Sequence, residues 1–148
     1  DVFLFSAMPF ELTDKQTSAD IGLVVTGHNL NELFSDAAIG LTTIMADINN
    51  LNESRQFSLK LEGENIEELF FKWLSEIIYY KDAEKFLFKR CELEFTDEYG
   101  IVLTAQVYGD TIDPQRHTLK IDIKGVTYYK FRVENSGKLW RSEVVFDL

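Results

Sequence analysis

Hydrophobic and polar positions along this chain change period several times, and each change marks an element. Ile21, Leu23 and Val25 share one parity, the period-two pattern of a half-buried strand over Ile21–Thr26. From Leu30 the period lengthens. Leu30, Leu33, Phe34, Ala37, Ala38, Leu41, Ile44 and Met45 form one i, i+3, i+4, i+7 stripe, which predicts a helix to about Met45. Asn29 stands at its N-cap with Glu32 three residues on, a capping-box spacing. Asp47–Arg55 is rich in Asn and Ser, which compete with the helical backbone, and reads as a loop. Alternation returns at Phe57, Leu59 and Leu61. Gly63 ends that strand and Asn65 caps a second helix, whose inner face carries Ile66, Leu69, Phe70, Trp73, Leu74, Ile77 and Ile78.

After Tyr80-Lys81-Asp82 the pattern is strand-like to the end. Phe86–Phe95 and Ile101–Tyr108 read as two strands about the turn Asp97–Gly100, followed by a loop Gly109–Arg116 in which Pro114 holds Asp113 extended. Leu119–Glu134 reads as one long strand. Leu119, Ile121, Ile123, Tyr129, Phe131 and Val133 share one parity, and Lys120, Asp122, Lys124, Lys130 and Arg132 the other. Gly125 within it predicts a bulge or a close backbone approach. Asn135-Ser136-Gly137 is a hairpin signal leading into a last strand, Leu139–Asp147, that buries Trp140, Val144 and Phe146. A weaker first strand, Phe10–Thr13, precedes a polar loop at Asp14–Ser18. Helices early and hairpins late predict an α+β fold, two amphipathic helices on a largely antiparallel sheet.

The two strand–helix units resemble each other. GHNLNELF from Gly27 and GENIEELF from Gly63 share five residues, and Leu30 matches Ile66. Glycine, Asn cap and Glu are generic solutions to capping, so two independent origins would give much of this. A duplicated unit explains the apolar phase as well and is the reading adopted. Two copies do not make a solenoid.

Composition narrows the function classes. A chain of 148 residues with 12 Phe and 6 Tyr is one domain, residues 1–148, with a well-filled interior. A net charge of −10 and a pI near 4.6 argue against autonomous nucleic-acid binding and favour a basic protein partner or a bound cation. The single cysteine, Cys91, provides neither a disulfide framework nor a CxxC zinc site, and its strand-like surroundings predict a buried structural thiol. No apolar run approaches the roughly 18 residues of a membrane span. The start, DVFLFSAM, is short and lacks a basic flank, so Met8 is a candidate initiator with residues 1–7 as an extension. A cytoplasmic, reducing setting is expected.

No HExxH, GxGxxG, P-loop or GxSxG motif occurs. His28 and His117 lie in polar segments beside turns, where a solvated imidazole is the ordinary case. Carboxylates remain. Asp20 opens a strand after a small-residue turn, and Asp147 is penultimate, beside the terminal carboxylate of Leu148. If those ends meet in the sheet, three oxygen-bearing groups converge on a hard-cation site of the calcium or magnesium type.

At this point the residues resemble a family, the archeases. Thr17-Ser18-Ala19-Asp20-Ile21-Gly22 occupies its His-Thr-Ala-Asp-Ile-Gly opening. Gly27–Phe34 matches its helix start, followed by Ala37-Ala38 and Ile44–Asp47, and Trp73–Tyr79 is similar to its second helix. His117 and Ile123–Tyr128 resemble its Val-Lys-Ala-Val/Ile-Thr-Tyr signature, and Val145–Leu148 its ending. Thr17, Ser18 and Gly125 depart from the pattern, and with Thr17 an imidazole is lost. The resemblance implies a non-catalytic accessory protein that assists guanylylation and multiple turnover of the tRNA-splicing RNA ligase, with the ligase holding the RNA. It implies calcium, or another divalent cation, on Asp20, Asp147 and Leu148, and partner contact by Lys124, which on sequence alone reads as a lysine on the polar face of a strand. A general chaperone or modulator of RNA-modifying enzymes is the alternative. A metal-dependent hydrolase lacks a general base beside the ion.

Overall fold

The computed structural model describes residues 2–4, 10–13 and 20–148. The chain order is β1 (Val2–Leu4), β2 (Phe10–Thr13), β3 (Asp20–Gly27), α1 (Leu30–Met45), a 3-10 turn at Ile48–Asn50, β4 (Arg55–Gly63), α2 (Ile66–Glu84), β5 (Phe86–Asp97), β6 (Ile101–Thr111), β7 (Gly125–Val126), β8 (Arg132–Asn135) and β9 (Trp140–Asp147). The fold is α+β, and every strand pairing is antiparallel. Among the described residues there are two sheets where the pattern predicts one. The first runs β1-β2-β3-β9-β7, with β8 also on β9, and the second runs β4-β6-β5. Each strand–helix unit therefore belongs to its own sheet.

The two units are built alike for a steric reason. A Cβ on Gly27 would lie 2.7 Å from the backbone nitrogen of Leu33, and one on Gly63 2.9 Å from that of Leu69. In both copies the first helical turn folds back onto the strand's last residue, so only glycine fits there. Asn29 Oδ1 accepts from the Glu32 N–H at 2.8 Å and Asn65 Oδ1 from the Glu68 N–H at 2.8 Å. The return arm of the first box comes from the His28 N–H, which donates to Glu32 Oε1 at 3.0 Å. In the second copy Glu68 pairs with Lys72 instead.

The predicted stripes are the core. Leu33, Phe34, Ala37 and Leu41 of α1 and Leu69, Phe70, Trp73 and Leu74 of α2 are fully buried. Phe34 meets Phe70 and Phe95 edge-on at 5.0 and 4.9 Å, and the Trp73 Nε1–H donates to the Phe34 carbonyl at 2.9 Å. The second helix continues past Ile78 to Glu84, where Lys85 ends it in the left-handed region at φ 52°.

The stretch predicted as one strand over Leu119–Glu134 is instead three pieces. Leu119 bridges Ala46, and the N–H groups of Lys120 and Ile121 donate to Met45 and Ile44, so the first piece lies against the end of α1. There Leu119 and Ile121 remain 46% and 38% exposed, while Ile123 is buried. β7 and β8 then share one edge of β9, since β3 occupies the other. Four residues, Tyr128–Phe131, stand opposite the single position Val144, in a turn closed by the Phe131 N–H on the Tyr128 carbonyl. Lys130 takes φ 52° in that turn and carries the chain out of the pleat. The excursion shifts the register by three residues, so even-numbered Val126, opposite Phe146, and odd-numbered Val133, opposite Ser142, lie on the same face, and the single parity read along the sequence does not carry across it. Nor does the backbone approach closely at Gly125, where a Cβ would meet nothing within 4 Å.

The hairpin at Asn135–Gly137 forms, with Gly137 at φ 85°. β9 is buried on both faces, since Val145 and Glu143 are covered as well as Val144 and Phe146. Val2–Leu4, within the expected extension 1–7, pairs with β2. Met8, the loop Asp14–Ser18 and the motif positions Thr17 and Ser18 lie outside the described residues.

Candidate functional site

The register of β3 on β9 is set by apolar pairs. Leu23 lies opposite Val144 and Ile21 opposite Phe146, and these side chains pack in the core. One position further Asp20 lies opposite Asp147. Side chains alternate along a strand, so this pair points to the face away from the helices. Directly opposed residues have Cβ atoms about 4.5–5.5 Å apart. Asp20 is half-buried and Asp147 exposed.

The neighbouring strand brings the other two predicted residues. β7 places Gly125 opposite Asp147, and the Lys124 N–H donates to the Asp147 carbonyl at 2.8 Å. Leu148 follows, its side chain packed against the core. The fold thus gathers Asp20, Asp147, Leu148 and Lys124 at one end of the first sheet. Two side-chain carboxylates and a main-chain oxygen of Leu148 would form a hard, all-oxygen donor set, suited to calcium or magnesium and poorly suited to softer metals. Among the described residues no group of three or more His, Cys, Asp or Glu side chains is placed to hold a metal ion. A cation held by Asp20 and Asp147 would need main-chain oxygen and water beside them to reach the six to eight oxygens that calcium takes.

The residue that sequence reasoning misplaced is His117. Its side chain is fully buried, not solvated. Its Nε2–H donates to Asp110 Oδ2 at 3.1 Å, and its Nδ1 accepts the Asp113 N–H at 2.9 Å, which fixes the neutral tautomer. Asp110, 1% exposed, also accepts from Ser54 Oγ at 2.6 Å, the Thr111 and Asn52 N–H groups at 3.0 and 2.9 Å, and Arg116 Nη2 at 3.0 Å. Burial pushes its pKa up, but the hydrogen bonds from Ser54, Asn52, Arg116 and His117 outweigh that and hold the carboxyl well below the usual range. Ser, Asp and His are here in the wrong order for a nucleophilic triad, because the carboxylate stands between hydroxyl and imidazole. The cluster is a clasp that ties the 52–54 loop to the 110–117 loop. Asp113-Pro114 ahead of His117, which turns the chain back on itself, was the available signal.

His28 is exposed, as expected, beside Glu32 at 3.2 Å. Cys91 is half-buried, 3.6 Å from Ser35 Oγ, and burial pushes its thiol pKa up, away from the reactive thiolate. Among the described residues no helix is long and apolar enough to cross a membrane.

Comparison with known proteins agrees with this fold. The profile of the archease protein family matches residues 10–148. The protein archease of Sulfurisphaera tokodaii is 30% identical over 131 residues, covering 88% of this chain and 94% of that one. The solution structure of Methanobacterium thermoautotrophicum protein 1598 superposes with a TM-score of 0.78 at 24% identity, covering 95% of this chain and 99% of that one. A Thermotoga maritima crystal structure, described as an archease and possible chaperone, gives 0.62 at 19% identity, over 92% and 96%. The match takes in both strand–helix units and the strand end that gathers Asp20 and Asp147, and the chain belongs to the archease family.

Proposed function

We propose that this chain is a non-catalytic accessory protein of the tRNA-splicing RNA ligase, raising its guanylylation and turnover through the carboxylate end of β3 and β9 with a divalent cation bound there. The observation that carries the reading is the direct opposition of Asp20 and Asp147, with Lys124 hydrogen-bonded through its backbone to Asp147. Like charges directly opposite each other on a sheet are destabilising, and a cation bound between them would offset that repulsion. Asp20, Asp147 and a main-chain oxygen of Leu148 would hold that cation, which supplies local positive charge. Exposed Lys124 adds an ammonium on the same end, so the site presents mixed charge to a partner. The acidic remainder of the surface suits approach to a cationic, nucleotide-binding pocket.

A ligase reaction with RNA and GTP tests this. With substoichiometric wild-type protein, a near single-turnover reaction is expected to run for many cycles, and Asp147→Ala is expected to lose most of the gain while melting normally. No gain with wild type, under conditions where the ligase itself is active, refutes the proposal.

One observation favours a second reading, a general chaperone or modulator of RNA-modifying enzymes. The partly exposed Leu119 and Ile121 border a groove of about 160 Å³ with Met45, Leu87 and Ile112, an apolar patch that strand parity assigns to the core. Suppressed aggregation of an unrelated client, lost in Ile121→Glu, would support it.

A further inference from the structure

We propose that Lys81 is a positioning residue for the carboxylate site, fixing Asp122 and Ile123 and thereby setting where Lys124 and β7 meet β9. Its last link, the effect on a partner enzyme, rests on the ligase reading above, while the local geometry does not.

The six residues Leu119–Lys124 belong to no strand. They are held at one end by backbone bonds to the end of α1 and at the other by the Lys124 N–H on the Asp147 carbonyl. Between these anchors the Lys81 ammonium reaches across from α2. It donates to Asp122 Oδ1 at 2.6 Å and to the Ile123 carbonyl at 2.7 Å, and its third contact is Asp82 Oδ1 at 2.7 Å. All three N–H donors are used.

A lysine in the last turn of a helix can serve that helix's own terminal carbonyls. Lys81 spends two of its three donors on the neighbouring segment, one of them on the peptide that joins Ile123 to Lys124. Its side chain is only 8% exposed, whereas Asp122 is 71% exposed. The buried charge is thus compensated from the segment it holds. Without that ammonium the Ile123 carbonyl loses its partner, and Asp122 is left as a solvated carboxylate. Burial lowers the lysine pKa, but the bonds to Asp122 and Asp82 outweigh it and the net direction is upward, so the ammonium is charged at neutral pH.

Amide hydrogen exchange separates positioning from general stabilisation, because local opening and global unfolding have different residue patterns. In Lys81→Met, which keeps the stem and removes the donors, the Lys124 N–H is expected to exchange at least about tenfold faster, while amides of β4 and β6 stay within about twofold. Lys81→Arg is expected to restore part of the protection. If Lys81→Met does not fold, Asp122→Asn removes one charged acceptor at an exposed position and is expected to give a smaller rise confined to the same amide. No rise at Lys124, or an equal rise at every amide, overturns the proposal. In the ligase assay Lys81→Met is expected to fall between wild type and Asp147→Ala. Full stimulation despite a loosened Lys124 amide also overturns it. If wild type itself fails to stimulate while the local exchange effect appears, the ligase reading fails and the positioning stands.

Discussion

Replacing Asp110 by asparagine tests the clasp that holds two loops together. The carboxylate accepts five hydrogen bonds, two on Oδ1 and three on Oδ2. Asparagine keeps one oxygen and turns an NH2 toward the donors on the other side. With the NH2 in place of Oδ2, it faces the Asn52 N–H, Arg116 and His117. His117 cannot adapt by moving its proton to Nδ1, because that atom accepts the Asp113 N–H. Removing one partner of a buried charge network costs about 3–5 kcal/mol. Arg116 is 44% exposed and can turn to solvent, which argues for the lower end, about 3 kcal/mol. In a chain of this size that lowers Tm by about 6–12 °C. Circular-dichroism melts and urea unfolding at unchanged m read the loss directly. The pH dependence gives an independent check. A carboxyl whose folded pKa is depressed contributes stability that is complete above its unfolded value, about 3.9, and is lost as pH falls through the folded value. Wild type is therefore expected to lose stability steeply below about pH 4, and Asp110→Asn to show a flatter curve. A change under about 1 kcal/mol, or parallel acid limbs, would refute the assignment.

Three further outcomes follow from the same coordinates. Gly63→Ala places a Cβ 2.9 Å from the Leu69 nitrogen and is expected to cost about 1–3 kcal/mol, while Gly125→Ala, with nothing within 4 Å, is expected to stay within about 0.5 kcal/mol, both read by urea unfolding. Calcium is expected to raise the wild-type Tm with a stabilisation that grows with the logarithm of its concentration above Kd; Asp147→Asn is expected to abolish that response and, in chelator, to be more stable than wild type by up to about 1 kcal/mol because the opposed charge is gone. The raised pKa of Lys81 means its contribution is complete below the ordinary lysine value, about 10.4, and is lost as pH rises through the higher folded value, so an alkaline stability loss is expected in wild type and not in Lys81→Met.

The sequence was most legible where one face is buried and the period is uninterrupted. Both helices, their Asn caps and the β5–β6 hairpin lie where periodicity predicts them. The repeated glycine proved to be a backbone contact of the same kind in both copies, which periodicity alone cannot reveal. Legibility failed where non-local bonds replaced alternation. Leu119 and Ile121 carry strand parity, yet they are anchored to the end of α1 and stay partly exposed. His117 looked solvated because Asn52 and Ser54, which complete its clasp through Asp110, are more than 60 positions away. At the candidate site the donor types and chain ends were visible, and the resemblance named them. Their register required the sheet.

That register explains why a like-charge pair persists at the end of two strands. A one-residue slip of β9 against β3 would reverse its faces, bringing Asp147 toward the core and Phe146 toward the surface. The opposed pairs Ile21–Phe146 and Leu23–Val144 forbid it, because Leu23, Val144 and Phe146 are completely buried. Fully burying such side chains contributes about 1.5–3 kcal/mol each, against at most about 1 kcal/mol for the repulsion of one opposed carboxylate pair. Core packing therefore dictates the juxtaposition of Asp20 and Asp147, whatever the carboxylates themselves prefer. Substitutions at Asp20 or Asp147 can then change cation and partner binding without altering the strand pairing. Enlarging or truncating Phe146 would disturb both.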